Sequence, residues 1–158
     1  MPALIETAYV EAVKLLNRFV DPAAASQVAE LVQAWKPQPD DWERVFMPEA
    51  AEKARIAYKP LWVSPPPPLP RPGQTVVRVR VADAADFAAD NARAKAFPGG
   101  FTSIASSLVP GNVWVAWEYL APGESAGMSF NGLVYLGAPD GSDGRFVWFP
   151  KPWKFIDF

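Results

Sequence analysis

Apolar residues recur at three- and four-residue spacing through the first third of the chain, which is typical of helices that bury one face. The first series predicts a helix over about residues 3–19. Its members are Leu4, Ile5, Ala8, Ala12, Leu15, Leu16 and Phe19. Asp21 followed by Pro22 predicts the start of a second helix, and Pro48 predicts the start of a third. Residues 1–62 are therefore expected to form a helical part.

The stretch that follows is rich in proline. Residues 64–73 include six prolines, and proline lacks a backbone N–H and fixes φ. Such a segment cannot continue a helix or occupy a central strand. Residues 63–73 are therefore predicted to be an extended connector between the helical part and the rest of the chain.

Strict alternation of polar and apolar residues begins after the connector. Valines alternate with Arg78 and Arg80, which predicts a strand over residues 74–82. Asp83 is predicted to cap a helix over about residues 84–96. Further strands are predicted over residues 113–120, 128–136 and 145–149.

Helices come first in this order, and strands joined by short turns come afterwards. Such an order is typical of the α+β class. We expect one domain of 158 residues, with the N-terminal helices packed on one face of a curved, mainly antiparallel sheet. The sheet should have about four to five strands. The sheet part would comprise residues 74–158 and include one helix.

Composition excludes several kinds of chemistry. The chain contains no histidine and no cysteine, so it lacks the commonest general base, thiol nucleophiles and thiolate zinc ligands. Its 15 basic and 17 acidic residues leave a formal charge of −2, which provides no general attraction to nucleic acid. No cofactor and no metal is predicted from these residue types.

The distribution of apolar residues predicts a cytoplasmic protein of bacterial type. The longest apolar stretches are interrupted within about ten residues, well short of the roughly 20 that a transmembrane helix needs. Residues 1–19 carry charges throughout and lack the pattern of a signal peptide. Neither a membrane nor nucleic acid is expected as a partner.

A Gly-x-Ser-x-Gly sequence at residues 123–127 matches the nucleophile elbow of hydrolases. The elbow requires a helix after the serine and a histidine base. Here a strand is predicted from Met128 onward, and histidine is absent. The sequence around Ser125 is therefore predicted to be a hairpin turn.

Two acidic patterns are similar to metal sites. Residues 140–144 suggest a calcium loop but lack the third ligand and the distal glutamate, so a polar turn is favoured. Asp83, Asp86 and Asp90 are close together along the predicted helix. Asp83 is the expected N-cap and the other two are expected on the solvated side, so no metal site is predicted.

Aromatic residues make up 13% of the chain, including seven tryptophans. In the strand over residues 113–120, Trp114 and Glu118 are expected on one face, and Trp117 and Tyr119 on the other. Burial in a core is the simpler interpretation. If the helices cover one face only, the other face forms a cleft or a subunit interface, where Trp, Tyr and Arg are enriched. The candidate binding residues are Arg78, Arg80, Trp114, Trp117, Glu118, Arg145, Trp148 and Trp153.

Glu118 is the only acid within the aromatic strand, and two interpretations are open. The favoured one is an ion pair with an arginine across the sheet. The candidate partners are Arg78, Arg80 and Arg145. In the other interpretation, a buried Glu118 acts as a general acid or base together with Tyr119 or Tyr135.

Cations alternate with an aromatic ring near the end of the chain, at Lys151, Trp153 and Lys154. This arrangement occurs in grooves that bind single-stranded nucleic acid. However, a few positive charges on an acidic protein give little support for nucleic-acid binding. We expect Trp153 to lie against the sheet edge and the two lysines to be solvated.

The end of the chain resembles that of uncharacterised bacterial proteins of the nuclear transport factor 2-like superfamily. The similar residues are Asn131-Gly132-Leu133-Val134 and the run from Arg145 to Trp153, and a leading helix with four antiparallel strands resembles the superfamily's cystatin-like fold. The resemblance covers about residues 74–154. It implies a cone-shaped pocket, a dimer and, in some members, isomerase or dehydratase activity through Asp/His pairs. This chain has no histidine and has a helix between its first two strands, so the resemblance supports a pocket and a dimer more than catalysis.

The sequence thus predicts a non-catalytic binding or interaction protein that uses an aromatic sheet face or pocket. The expected occupant is a protein partner, a second copy of the chain in a homodimer, or a small apolar ligand. The alternative is a small lyase or isomerase that uses Glu118 with Tyr119 or Tyr135.

Overall fold

The sheet is four-stranded and antiparallel, and its strands follow the order of the sequence. The computed structural model describes residues 4–137 and 144–156. The strands are β1 (Val76–Asp83), β2 (Val113–Leu120), β3 (Met128–Leu136) and β4 (Arg145–Trp148). The α+β class is confirmed, with four strands in the described residues. The predicted polar turn over residues 140–144 lies outside the described residues except for Gly144.

Helices precede the sheet, as the hydrophobic spacing predicts. They are α1 (Leu4–Val20), α2 (Val28–Ala34), α3 (Asp41–Val45), α4 (Pro48–Ala57) and α5 (Lys59–Val63). Asp21 acts as the predicted cap, because its carboxylate accepts a hydrogen bond from the N–H of Ala23 at 2.9 Å. A 3₁₀ turn (Pro22–Gln27) follows this cap and leads into α2. Residues 64–75, which include most of the predicted connector, contain no helix or strand, and Val63 belongs to α5.

The prediction of one helix over residues 84–96 is wrong. The helical segments of the sheet part are α6 (Ala84–Ala89), α7 (Ala92–Lys95), α8 (Gly100–Ser103), a 3₁₀ turn (Ala105–Ser107) and α9 (Trp153–Ile156). Asp90 ends α6, since its φ of 49° is left-handed. The side chain of Asn91 then accepts a hydrogen bond from the N–H of Ala94 at 3.2 Å and so caps α7.

Asp83 caps α6 as predicted, but Asp86 does not face solvent. The Asp83 N–H donates to the Asp86 carboxylate at 3.0 Å, and the Asp86 N–H donates to the Asp83 carboxylate at 2.9 Å. This reciprocal pair is a capping box. Asp86 is only 7% exposed, so the expectation that it is solvated is wrong. Within residues 4–137 and 144–156, no three acidic side chains are grouped closely enough to hold a metal ion.

Helices cover both faces of the sheet. The valine face carries Val77, Val79, Val81 and Trp117, and the arginine face carries Arg78, Arg80, Trp114 and Glu118. Helix α1 packs on the valine face against β1 and β2. Phe46, directly after α3, and Phe101 of α8 pack against Trp114 on the arginine face. The expectation that the N-terminal helices lie on one face only is therefore wrong.

One hydrophobic cluster joins the helical part to the sheet, extending from Ala12 in α1 to Ile156 in α9. The ring of Trp35, which follows α2, lies 6.3 Å from that of Trp117 and 5.6 Å from that of Trp148, measured between centroids. The valine face is thus closed by aromatic contacts from the helical part. No helix in the described part of the chain is both long and apolar enough to cross a membrane.

Candidate functional site

The tryptophans of the sheet belong to the core and do not form an exposed binding face. Trp114, Trp117 and Trp148 are 0%, 2% and 3% exposed. Each packs against other aromatic rings, and the centroid of Trp114, for example, lies 6.1 Å from that of Phe46 and 5.5 Å from that of Phe101. Burial in a core, the simpler interpretation of the aromatic residues, is therefore confirmed for these three rings, which do not form the exposed face of the alternative interpretation. The homodimer stays a prediction.

Arg145 and Trp153 also have structural contacts. Arg145 forms an ion pair with Asp41, a fully buried carboxylate at the start of α3. The ring of Trp153 lies 5.2 Å from that of Phe101. Gly100 passes so close to this indole that a Cβ there would overlap it. Arg145 and Trp153 therefore connect the C-terminal part of the chain to neighbouring helices. Since Arg145 pairs with Asp41, it is not the partner of Glu118.

Glu118 forms an ion pair with Arg78 on the arginine face. Its carboxylate accepts hydrogen bonds from Arg78 Nη2 and, at 3.2 Å, from the N–H of Gly127. Burial by itself raises the pKa of Glu118, but the hydrogen bonds from Arg78 and Gly127 outweigh burial and lower the pKa below its usual value. Glu118 is therefore ionised at neutral pH. The predicted pairing of this carboxylate with an arginine is confirmed, and the partner is Arg78.

A small cleft, the arginine cleft, opens beside this pair. It has a volume of about 340 Å³. Its lining includes four of the predicted binding residues, namely Arg78, Arg80, Trp117 and Glu118. Arg80 is exposed and has no hydrogen-bond or ion-pair partner among the described residues. Because Arg78 and Glu118 neutralise each other, Arg80 supplies the net charge of the described residues that line the cleft.

Glu118, Tyr119 and Tyr135 do not converge on one site. Adjacent strand residues point to opposite faces, so Tyr119 lies on the valine face. Its hydroxyl donates to the carbonyl oxygen of Pro68 at 2.7 Å, and burial raises its pKa above the ordinary value, so it stays protonated. Tyr135 packs against Ala8 of α1. The alternative set of proton-transfer residues therefore has no common pocket.

Residues 123–127 form the turn between β2 and β3. Gly123 has a φ of 84°, and β3 begins directly afterwards at Met128. The carbonyl oxygen of Ser125 accepts a hydrogen bond from Arg78 Nη2 at 3.0 Å, which ties the turn to β1. The predicted hairpin turn is confirmed.

Asn131 was missed as a site residue, although it organises the outer edge of β3. The pairing between β2 and β3 skips Gly132, whose φ of 94° marks a β-bulge. The Asn131 carbonyl oxygen accepts a hydrogen bond from Trp148 Nε1 at 2.8 Å, and its side-chain oxygen accepts one from the N–H of Lys151 at 2.9 Å. Lys151 has a left-handed φ of 49°. Glycine inside a strand pattern was the signal that could have predicted the bulge.

An apolar groove, the connector groove, lies beside Asn131 and has a volume of about 540 Å³. Its apolar lining consists of Leu61, Pro66, Pro67, Met128, Phe130, Trp148, Pro150 and Phe155, and its polar lining of Ser129, Asn131, Lys151 and Lys154. Strand β4 pairs with Leu133–Leu136 of β3, and no strand in the described part of the chain lies beside Met128–Asn131 on that side. The groove occupies this space between β3, the connector and α9.

No protein-family model matches the chain, and neither the curated proteins nor the solved structures that were searched gave a match. The resemblance to the nuclear transport factor 2-like superfamily therefore stays a prediction. The geometry by itself defines an α+β protein with a charged cleft on one sheet face and an apolar groove at the sheet edge.

Proposed function

We propose that this protein is a non-catalytic binding protein and that a small apolar ligand occupies the connector groove. The groove itself is the observation that carries the proposal. Its volume of about 540 Å³ falls within the range of about 300–1,000 Å³ that is typical of small-molecule sites. Eight of its twelve lining residues are apolar, and the few polar ones are grouped around Asn131 and the lysines.

Several contacts hold the walls of the groove in place. The Tyr119 hydroxyl anchors the connector at Pro68. The Tyr58 hydroxyl donates to the carbonyl oxygen of Pro150 at 2.8 Å, and the Tyr58 ring stacks on that of Phe155 with centroids 3.9 Å apart. Walls that are ordered beforehand lose less conformational entropy when a ligand binds. This rigidity supports a binding role.

The distribution of acids and tyrosines gives catalysis less support. A general acid or base works best when its pKa lies near neutral pH. Burial raises the pKa of Glu118, but the hydrogen bonds from Arg78 and Gly127 outweigh burial and lower the pKa below its usual value, away from neutrality. Tyr119 and Tyr135 lie on the opposite face of the sheet and cannot assist it. The proposal therefore keeps the binding class predicted from sequence and moves the site from an aromatic face to the connector groove.

The methionines provide a direct test. The chain has three, Met1, Met47 and Met128. Met128 lines the connector groove, whereas Met47 precedes α4 and is 42% exposed. We expect titration with decanol of protein carrying ¹³C-methyl methionine to shift the Met128 resonance saturably and to leave the Met47 resonance unchanged. Absence of a Met128 shift, or equal shifts of both resonances, would contradict the proposal.

A matched pair of variants checks the location. Leu61→Arg places a cation in the groove wall, whereas Leu69→Arg makes the same change on an exposed connector residue outside the lining. We expect Leu61→Arg to weaken decanol binding at least about tenfold, since an apolar contact is replaced by a charge that must be desolvated. Leu69→Arg should bind like the wild type. Thermal melting checks that both variants are folded. If Leu61→Arg is unfolded, the titration of the Met128 resonance in the wild type decides whether the ligand binds in the groove.

A further inference from the structure

We infer that the ligand of the connector groove is an amphipathic carboxylate, with its alkyl chain against the apolar walls and its carboxylate at Lys151. This inference rests on the proposed function. Charge complementarity carries it, because both charged residues of the described lining, Lys151 and Lys154, are cations and no acid lies among the described residues that line the groove. The chain as a whole has a charge of −2, so composition does not account for this local positive charge.

Neither ammonium group has a partner in the described part of the chain. Among residues 4–137 and 144–156, ion pairs occupy other cations, such as Arg78 and Arg145, and none involves Lys151 or Lys154. Cations that have no partner among the described residues and lie beside an apolar surface favour a ligand that brings its own anionic group, since a charge-assisted contact is then added to apolar burial.

The backbone of Lys151 is held in an uncommon conformation, whereas its side chain is exposed. Its left-handed backbone is sparsely populated by residues with a side chain and persists where the surroundings hold it. Asn131 provides that support by accepting the Lys151 N–H, and Pro150 and Pro152 restrict the chain on either side. The bulge at Gly132 places Asn131 for this contact. Asn131 is therefore a positioning residue, and Lys151 is the residue that contacts the carboxylate.

Three ligands with the same alkyl chain test the inference: decanoate, decanol and decylamine, each followed through the Met128 methyl resonance. We expect decanoate to bind about tenfold more tightly than decanol, and decylamine to bind most weakly. Added salt should weaken decanoate binding and leave decanol binding nearly unchanged, because the charged contact is exposed and screened. Decanol that binds as tightly as decanoate would overturn the inference.

Charge-removing variants locate the contact. We expect Lys151→Gln to lower the affinity for decanoate about five- to tenfold and to leave the affinity for decanol unchanged. Lys95→Gln, an exposed residue of α7 outside the groove, is the matched control and should change neither. If Lys151→Gln loses affinity for decanoate and decanol equally, or loses no affinity for decanoate, the proposed role of Lys151 is overturned. If no ligand shifts Met128, the proposed function itself fails; if decanol binds and decanoate is not preferred, only the inference fails.

Discussion

Replacement of Glu118 by glutamine distinguishes a structural ion pair from a proton-transfer residue. Glutamine has nearly the same shape and keeps a carbonyl oxygen that can accept the Gly127 N–H. It loses the negative charge that faces Arg78. We therefore expect Glu118→Gln to lower the free energy of unfolding, because Arg78 is left without its charged partner in a partly buried position.

The exposure of the Glu118 and Arg78 side chains sets the magnitude of the stability that Glu118→Gln is expected to lose. The side chain of Glu118 is 19% exposed and that of Arg78 is 39% exposed. Exposed pairs contribute about 0.2–1 kcal/mol, and loss of one partner from a fully buried pair costs about 3–5 kcal/mol. With a discount for the solvent that screens Arg78, we expect a loss of about 1–2 kcal/mol. For a chain of this length this corresponds to a fall in melting temperature of about 2–8 °C.

Urea denaturation followed by tryptophan fluorescence measures this loss. Glu124→Gln is the matched control, since it removes the same charge from an exposed residue of the adjacent turn and should change stability little. The pH dependence has a defined sign. Because the folded pKa of Glu118 is lowered, its contribution is complete above the unfolded pKa of about 4.3 and is lost as the pH falls through the folded pKa.

A Glu118→Gln variant that melts at or above the wild-type temperature would refute this reasoning. That result is expected only if Glu118 is neutral in an apolar environment, where glutamine replaces the protonated acid without loss. A double variant with Arg78→Met adds a second check. The two changes should be non-additive, because each removes the same ion pair.

Three further changes have defined outcomes. Tyr119→Phe leaves the Pro68 carbonyl oxygen without its donor, so it should cost about 1–2 kcal/mol of stability and weaken decanol binding in the methyl titration. Gly132→Ala should cost at least about 2 kcal/mol on denaturation, since a Cβ would strain the left-handed φ and overlap a backbone carbonyl; Gly73→Ala, equally left-handed but in open space, should cost less. Ser125→Ala should change neither stability nor binding, and reaction of the wild type with a fluorophosphonate would contradict the hairpin assignment.

Local hydrophobic periodicity determined the secondary structure of much of the chain. Helix α1 lies within one residue of its prediction, and the bounds of β2 and β3 match theirs. Helix α1 follows from the sequence because it buries one side, and the spacing of apolar residues records which side that is. Strands β2 and β3 are buried on both faces over most of their length, and runs of apolar residues bounded by turn residues predict them instead. The α6 cap at Asp83 is equally local, since it involves a residue only three positions away.

Only the tertiary structure decided which surfaces stay open. Trp114 became core because Phe46 and Phe101, both distant in sequence, cover the arginine face. The connector groove is lined by segments that are distant in sequence, from Leu61 through Met128 to Phe155. Hydrophobic periodicity indicates that a side chain is buried, but it does not indicate which distant segment covers that side chain. The covering segment depends on how helices and strands pack against one another, and a local sequence pattern does not specify their relative positions.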